Sequence, residues 1–282
     1  MSTLYLVATP IGNLGDLSPR AREILSTVDF IAAEDTRVTQ KLLTACELPR
    51  KPMISYYEHN RRARGEVVLE RMLGGETCAL VTDAGTPAVS DPGEDLVALC
   101  AEHDVPVIPI PGCCAAVCAL AASGLPTGRW CFEGFLSVNK KARRKHLDAL
   151  QGEKRTMIFY EAPHKLCATL RDLRDAFGGD RRLSLSRELT KLHEQTLRMT
   201  LDEAVAYFDA NAPRGEFVLI LEGAPDEPET EQDEAERLAS AAEAVRRRME
   251  QGQTQKDAVK AVSAETGVKK NALYRYVLDH EE

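Results

Sequence analysis

Short apolar runs, each closed by a turn rich in Gly, Pro or Asp and followed by a helix-like stretch, constrain this chain most. LYLVA from Leu4 breaks at TPIGNLGD, and Ser18-Pro19 then opens PRAREILSTV with helical spacing. DFIAAED, CALVTDAG after Gly74-Gly75, EDLVALCAEH after Pro92-Gly93 and PVIPIPG continue the alternation. Beyond Pro111-Gly112 come AAVCALAA, MIFYEAPH, KLCATLRDLRDAF, LSLSREL, LDEAVAYF and EFVLILEG. Apolar runs alternating with helices indicate α/β architecture. The Pro-Gly turn divides it into an N-terminal domain, 1–112, and a second domain, 113–223.

The chain has 282 residues, more than one ordinary compact domain requires. Seven acids and no base lie between 224 and 236, alongside Pro225 and Pro228, which reads as an acidic linker over 224–236. Beyond it, AERLASAAEAVRRRMEQ has helical spacing up to Gly252. Thr254 with Asp257 resembles a capping-box start, Thr266-Gly267 makes a turn, and the next helix runs from Lys269 to Val277. The unit 237–282 therefore reads as a small all-α helix-turn-helix, with Lys269, Lys270, Asn271, Tyr274 and Arg275 facing nucleic acid.

A net charge of −8 argues against coating nucleic acid by bulk charge. The distribution is uneven, however, with ten bases against four acids between Arg129 and Arg171. Apolar runs are too short to span a bilayer, and the N-terminus lacks the charged region of a signal peptide, so a cytoplasmic protein without membrane attachment is expected. Eight cysteines include no CxxC pair, which suits reduced thiols rather than a metal site.

The turns hold the chemistry. The first contains Gly12 and Gly15 but is not GxGxxG, and no GxxxxGK[ST] exists, so dinucleotide and triphosphate readings are weak. The second, Thr82 to Gly93, follows an apolar run and precedes a helix. In it Gly85 allows close backbone approach, Asp83, Thr86 and Ser90 offer polar groups, and Ser90 or Asp91 is placed to cap the helix. The third, Pro111 to Ala116, brings small residues to a strand end.

In order along residues 4–223, VATPIGNLGD, AEDTR, TDAGTPAVSDPG, PGCCAA, FEGFL, FYEAPH, SRELTK and RGEFVLILEG resemble the tetrapyrrole methylase superfamily. FYEAPH and ELTK are most similar to its ribosomal RNA branch, which methylates a cytidine ribose 2′-oxygen in the 16S RNA of the small ribosomal subunit. The resemblance implies a two-domain class III methyltransferase-like body, S-adenosylmethionine bound in the cleft between the domains, and a homodimer. Carried over by motif, the cofactor would contact Pro10, Ile11 and Gly12, then Asp83, Gly85, Thr86 and Val89, then Cys114 and Ala115. Tyr160, Glu161, Leu189, Gly215 and Glu216 correspond to elements completing the adenosine pocket. Lys165 departs from the Arg expected after APH, which keeps the charge but loses a bidentate fork.

Methyl transfer to a hydroxyl requires alignment and removal of a proton. The acid-rich turn of Glu34 and Asp35 with Arg37 is the leading candidate for that work, followed by Glu161 with His164 and by Glu188, Lys191 and Glu194. Arg61 and Arg62, near His59, and the run Lys140, Lys141, Arg143, Arg144, Lys145 are candidate RNA-phosphate contacts. Two other readings fit parts of the chain: a tetrapyrrole- or protein-directed methylase of the same superfamily, and a helix-turn-helix nucleic-acid-binding regulator whose body senses a small molecule. The basic run speaks against the first, and the set of eight motifs against the second.

Overall fold

The computed structural model describes residues 2–225 and 231–280. It comprises two compact units, Met1–Ala224 and Pro225–Glu282.

In the first unit, β1 (Leu4–Val7), α1 (Pro19–Thr27), β2 (Phe30–Ala33), α2 (Thr36–Ala45), β3 (Met53–Ser55), α3 (Arg61–Leu73), β4 (Cys78–Val81), α4 (Glu94–Glu102) and β5 (Val107–Ile110) build the first half. Their strands form a wholly parallel sheet in the order β3-β2-β4-β1-β5. Every residue of β2 and β4 is buried, as expected of strands covered on both faces. Alternation sorts the side chains. Leu4, Phe30, Ala32, Cys78 and Leu80 pack with Val68 and Met72 of α3 and Leu96 of α4. Val7, Ile31, Ala33, Ala79 and Val81 pack with Leu25 of α1 and Leu43 of α2.

The second half contains α5 (Ala115–Ser123), β6 (Trp130–Phe135), α6 (Lys140–Ala149), β7 (Thr156–Glu161), α7 (Pro163–Phe177), β8 (Arg182–Arg187), β9 (Gln195–Thr200), α8 (Leu201–Ala210) and β10 (Phe217–Leu221). The sheet order is β6-β7-β10-β8-β9, parallel between β6 and β7 and antiparallel elsewhere. Ile158, Val218 and Ile220 pack on Ala116, Ala119 and Leu120 of α5. Met157, Phe159, Leu185 and Leu219 face α7 and α8. The two sheets part between β5 and α5, at the Pro-Gly turn, yet lie within one compact unit. The strands that the apolar alternation does not announce, β3, β6 and β9, are all edge strands, which are buried less and need fewer apolar residues.

The second unit holds α9 (Glu231–Glu250), α10 (Gln255–Thr266) and α11 (Lys270–Asp279) around Ala241, Val245, Val259, Val262, Leu273 and Val277. Thr254 caps α10 by accepting from the Asp257 N–H, but the Asp257 carboxylate accepts from the Thr254 hydroxyl instead of returning to the backbone, so only half of a capping box forms. The expected linker is corrected at its far end: α9 begins at Glu231, so 231–236 are helical, and a helix N-terminus favours negative charge. Residues 226–230 of that linker lie outside the described residues.

Each unit has its own core, so a chain ending at Ala224 is expected to fold without the helical unit. Its near-ultraviolet signal, dominated by Trp130, should match that of the full chain. Loss of that signal would make the last helices part of the body's core.

Candidate active site

Three turns at the carboxyl ends of parallel strands are tied together. Thr9, after β1, and Gly85, after β4, exchange backbone hydrogen bonds at 2.9 and 3.0 Å. The Thr9 hydroxyl donates to the Thr82 carbonyl (3.1 Å), and the Thr86 hydroxyl to the Cys113 carbonyl (2.8 Å). Between Gly85 and Gly93 the backbone turns left-handed four times, at Gly85, Ala88, Ser90 and Gly93. Such strain at non-glycine residues persists where surroundings over-determine it, commonly beside ligands. A Cβ on Gly93 would lie 2.7 Å from Leu80 and 3.0 Å from Ala88, so this position requires glycine. Gly93 itself is the N-terminal cap of α4, and neither Ser90 nor Asp91 caps it, contrary to the sequence expectation.

These turns form one side of a cavity of about 540 Å³. Ile11, Glu34, Asp83 to Thr86, Val89 to Asp91, Cys114 and Ala115 line it from the first half, and Phe135, Tyr160 to His164 and Glu216 to Val218 from the second. A smaller adjoining cavity adds Ser186, Leu189 and Lys191.

Three carboxylates, Glu34, Asp83 and Asp91, line this space from the first half. The Asp83 N–H donates to Glu34 Oε2 (3.2 Å), and the Asp35 N–H to Asp83 Oδ1 (3.1 Å), which clasps the end of β2 to that of β4. Burial raises the pKa of both Glu34 and Asp83. Asp91 has no hydrogen-bond or ion-pair partner among the described residues. Desolvation, with repulsion from Glu34 and Asp83, pushes it up to about 6.

The second sheet supplies the opposite wall. The Tyr160 hydroxyl accepts from the Ala116 N–H (3.1 Å) and so holds the start of α5. Lys191 Nζ donates to Glu188 and Glu216 at 3.0 Å each, and Glu188 Oε1 also accepts from the Glu216 N–H. This joins the β8–β9 loop to the turn before β10.

Of the residues singled out in sequence, Ile11, Asp83, Gly85, Thr86, Val89, Cys114, Ala115, Tyr160, Glu161, Glu216 and Glu34 line the main cavity and Leu189 the smaller one. Pro10, Gly12 and Gly215 line neither. Gly12 packs beneath Lys191, where a Cβ would fall 2.4 Å from its Cγ, and Gly215 packs equally close to Glu188.

Several of the expected site residues are engaged by neighbouring groups. Asp35 caps α2 and binds the Arg37 guanidinium at 2.6 Å, and Arg37 holds its carboxyl down to about 2. A carboxylate so acidic is a poor proton acceptor at neutral pH, and neither residue lines the cavity. Glu161 is buried, with one oxygen accepting from the Ala162 N–H (2.8 Å) and the other from the Thr169 hydroxyl (2.5 Å), so it fixes the start of α7. Arg61 is engaged by Glu58 (3.2 Å) and Asp95 (3.8 Å), and Arg143 by Asp172 (2.5 Å). Arg62, Lys140, Lys141, Arg144 and Lys145 are exposed and form no ion pair among the described residues, and the same holds for Lys269, Lys270 and Arg275 in the helical unit. Sequence reasoning missed Asp91 as a cavity carboxylate and gave Phe135 no role. The local signal for Asp91 was its place in a turn already holding Asp83.

The family described as Tetrapyrrole (Corrin/Porphyrin) Methylases matches residues 3–205. The chain is 50% identical over 281 residues to the ribosomal RNA small subunit methyltransferase I of Synechocystis sp., covering 100% of this chain and 99% of that protein. It is 46% identical to the protein of the same name from Halalkalibacterium halodurans, covering 99% and 95%. Its fold is similar to the uroporphyrin-III C-methyltransferase from Thermus thermophilus complexed with S-adenosylhomocysteine (TM-score 0.54, 18% identity, 78% of this chain and 97% of that one).

The raised pKa of Asp91 has a signed consequence. The folded chain keeps this proton up to about pH 6, whereas the unfolded chain releases it near the ordinary carboxylate value of about 4. The group therefore costs no stability well below that value, and its cost grows as pH rises to 6 and then levels. Asp91→Asn is expected to raise the melting temperature more at pH 7.5 than at pH 4. Equal shifts at both pH values would contradict the desolvated environment assigned to Asp91.

Proposed function

The chain belongs to the tetrapyrrole (corrin/porphyrin) methylase family, and from that premise we propose that it methylates 16S ribosomal RNA of the small subunit, using S-adenosylmethionine, at a cytidine ribose 2′-oxygen. The observation that carries this reading is the full-length likeness to ribosomal RNA small subunit methyltransferases, which extends through the helical unit.

The cavity fits such a donor in size and chemistry. Its volume falls in the range of small-molecule sites. Glu34 and Asp91, partly buried, and the more exposed Asp83 gather negative charge in one space, which favours a cationic ligand. Gly85, Cys114 and Ala115 keep one wall low, while Val89 on that side and Val218 on the opposite wall add apolar surface. S-adenosylmethionine, when bound, supplies a methyl group on a positively charged sulfonium. Glu34 is then the residue to accept the ribose proton, because it faces the cavity, burial raises its basicity, and among the described residues its carboxylate is held only by the Asp83 N–H. Asp35 acts as a positioning residue, holding the turn that carries Glu34 through its cap and its bond to Arg37.

Lys140, Lys141, Arg144 and Lys145 on α6, with Arg62 on α3, are proposed to bind RNA phosphates, and Lys269, Lys270 and Arg275 of the helical unit to do the same. The homodimer is also proposed, on the outward face of α5. Val117 there is 49% exposed and Cys118, Ala121 and Ala122 are exposed beside it, so the helix is apolar on every side. All eight cysteines are free, which suits a reducing cytoplasm, and no helix among the described residues is long and apolar enough to cross a membrane.

Small subunits lacking native methylation, incubated with the protein and tritium-labelled S-adenosylmethionine, are expected to yield label in 2′-O-methylcytidine after digestion to nucleosides. Label confined to a base, to protein or to an added tetrapyrrole would refute the assignment. Glu34→Gln should lower the single-turnover rate at saturating S-adenosylmethionine by about a hundredfold, with partial recovery at higher pH. Asp35→Asn should cost far less. A near-normal rate in Glu34→Gln would move the proton acceptor to Asp91.

A further inference from the structure

Strand β6 carries a bulge beside the cavity. Phe132 pairs with Ile158 of β7, but the next pair is Gly134 with Phe159, so Glu133 is an inserted residue. In a regular strand, residues three apart point to opposite faces. The insertion returns Phe135 to the face of Phe132, and both rings meet Tyr160 in T-shaped contacts, with centroids 5.1 and 5.5 Å apart. Gly134 turns through φ +64° to make this possible, with Ser90 of the second turn close by. Bulges next to functional sites commonly re-aim a side chain in this way.

The re-aimed ring lines the cavity and is nevertheless 58% exposed. Its support is fixed, because Tyr160 is anchored through its hydroxyl to the start of α5. A short link then leads from Phe135 to α6 and its exposed cations Lys140, Lys141, Arg144 and Lys145. The nearest of those cations, Lys140, follows Phe135 by five residues along the chain.

Building on the RNA methyltransferase reading, we propose that Phe135 is the stacking platform for the nucleobase of the acceptor nucleotide. Aromatic faces are the usual seats for splayed-out RNA bases. A base stacked on Phe135 orients its own ribose toward the carboxylates across the cavity, so the ring acts on specificity and positioning and takes no part in proton transfer. The requirement is for a flat π surface, and bulk alone does not meet it.

The full-length protein and its Phe135→Ala, Phe135→Leu and Phe135→Trp variants distinguish these requirements. Two quantities are measured: kcat/KM for undermethylated small subunits, and S-adenosylmethionine affinity by calorimetry, which also reports folding. The Ala and Leu variants are expected to lose roughly ten- to a hundredfold in kcat/KM, while Trp stays close to wild type. Donor affinity should stay within about twofold throughout. Full activity in Phe135→Leu would reduce the ring to an apolar filler and overturn the proposal. A parallel loss of donor affinity would overturn it by assigning Phe135 to the donor's pocket. If the wild-type protein itself transfers nothing to the subunits, the RNA reading fails and the stacking role fails with it. Transfer by wild type with a tolerant Leu variant removes the stacking role alone.

Discussion

The reciprocal backbone pair between Thr9 and Gly85 is the tie on which the rest of the site depends. Parallel strands leave their connecting turns separate, and each of the three turns here is too irregular to hold a shape alone. The Thr9–Gly85 pair, the Thr9 hydroxyl on Thr82 and the Thr86 hydroxyl on Cys113 make one wall of them. That wall sustains the left-handed backbone of Ala88 and Ser90, which in turn presents Val89 and Asp91 to the cavity. The Lys191 bridge between Glu188 and Glu216 is the corresponding tie on the second sheet.

Electrostatics divide the body into two working surfaces. Glu34, Asp83 and Asp91 bring mutual repulsion into a partly desolvated space, a cost that a cationic ligand relieves. Four exposed cations on α6 lack any acid partner among the described residues, so a chain of net charge −8 still offers phosphate a local positive surface. The proposed proton acceptor and the proposed RNA contacts thus fall on different groups. Asp35 and Arg37 neutralise one another.

Much of the fold was legible in the sequence, because buried parallel strands must be continuously apolar and their turns must break with Gly, Pro or Asp. The motif turns likewise delivered most of the cavity lining. What escaped depends on pairing between distant or side-by-side side chains. Nothing local distinguishes Glu34, which opens onto the cavity, from Asp35, which is consumed by Arg37. Glu161 sits in a motif yet is satisfied by Thr169, eight residues away on α7. The engagement of Arg143 by Asp172 is invisible in a run of five bases. The bulge at Glu133 is a matter of register between strands, so neither it nor the orientation of Phe135 is written in the FEGFL motif.

The most direct measurement is the crystal structure of the full-length protein with S-adenosylhomocysteine. The ligand is expected against the turn from Asp83 to Val89 and against Cys114 and Ala115, with Asp91 facing it. Binding at any other place, with these tied turns left bare, would contradict the role given to the wall that Thr9 and Gly85 hold together.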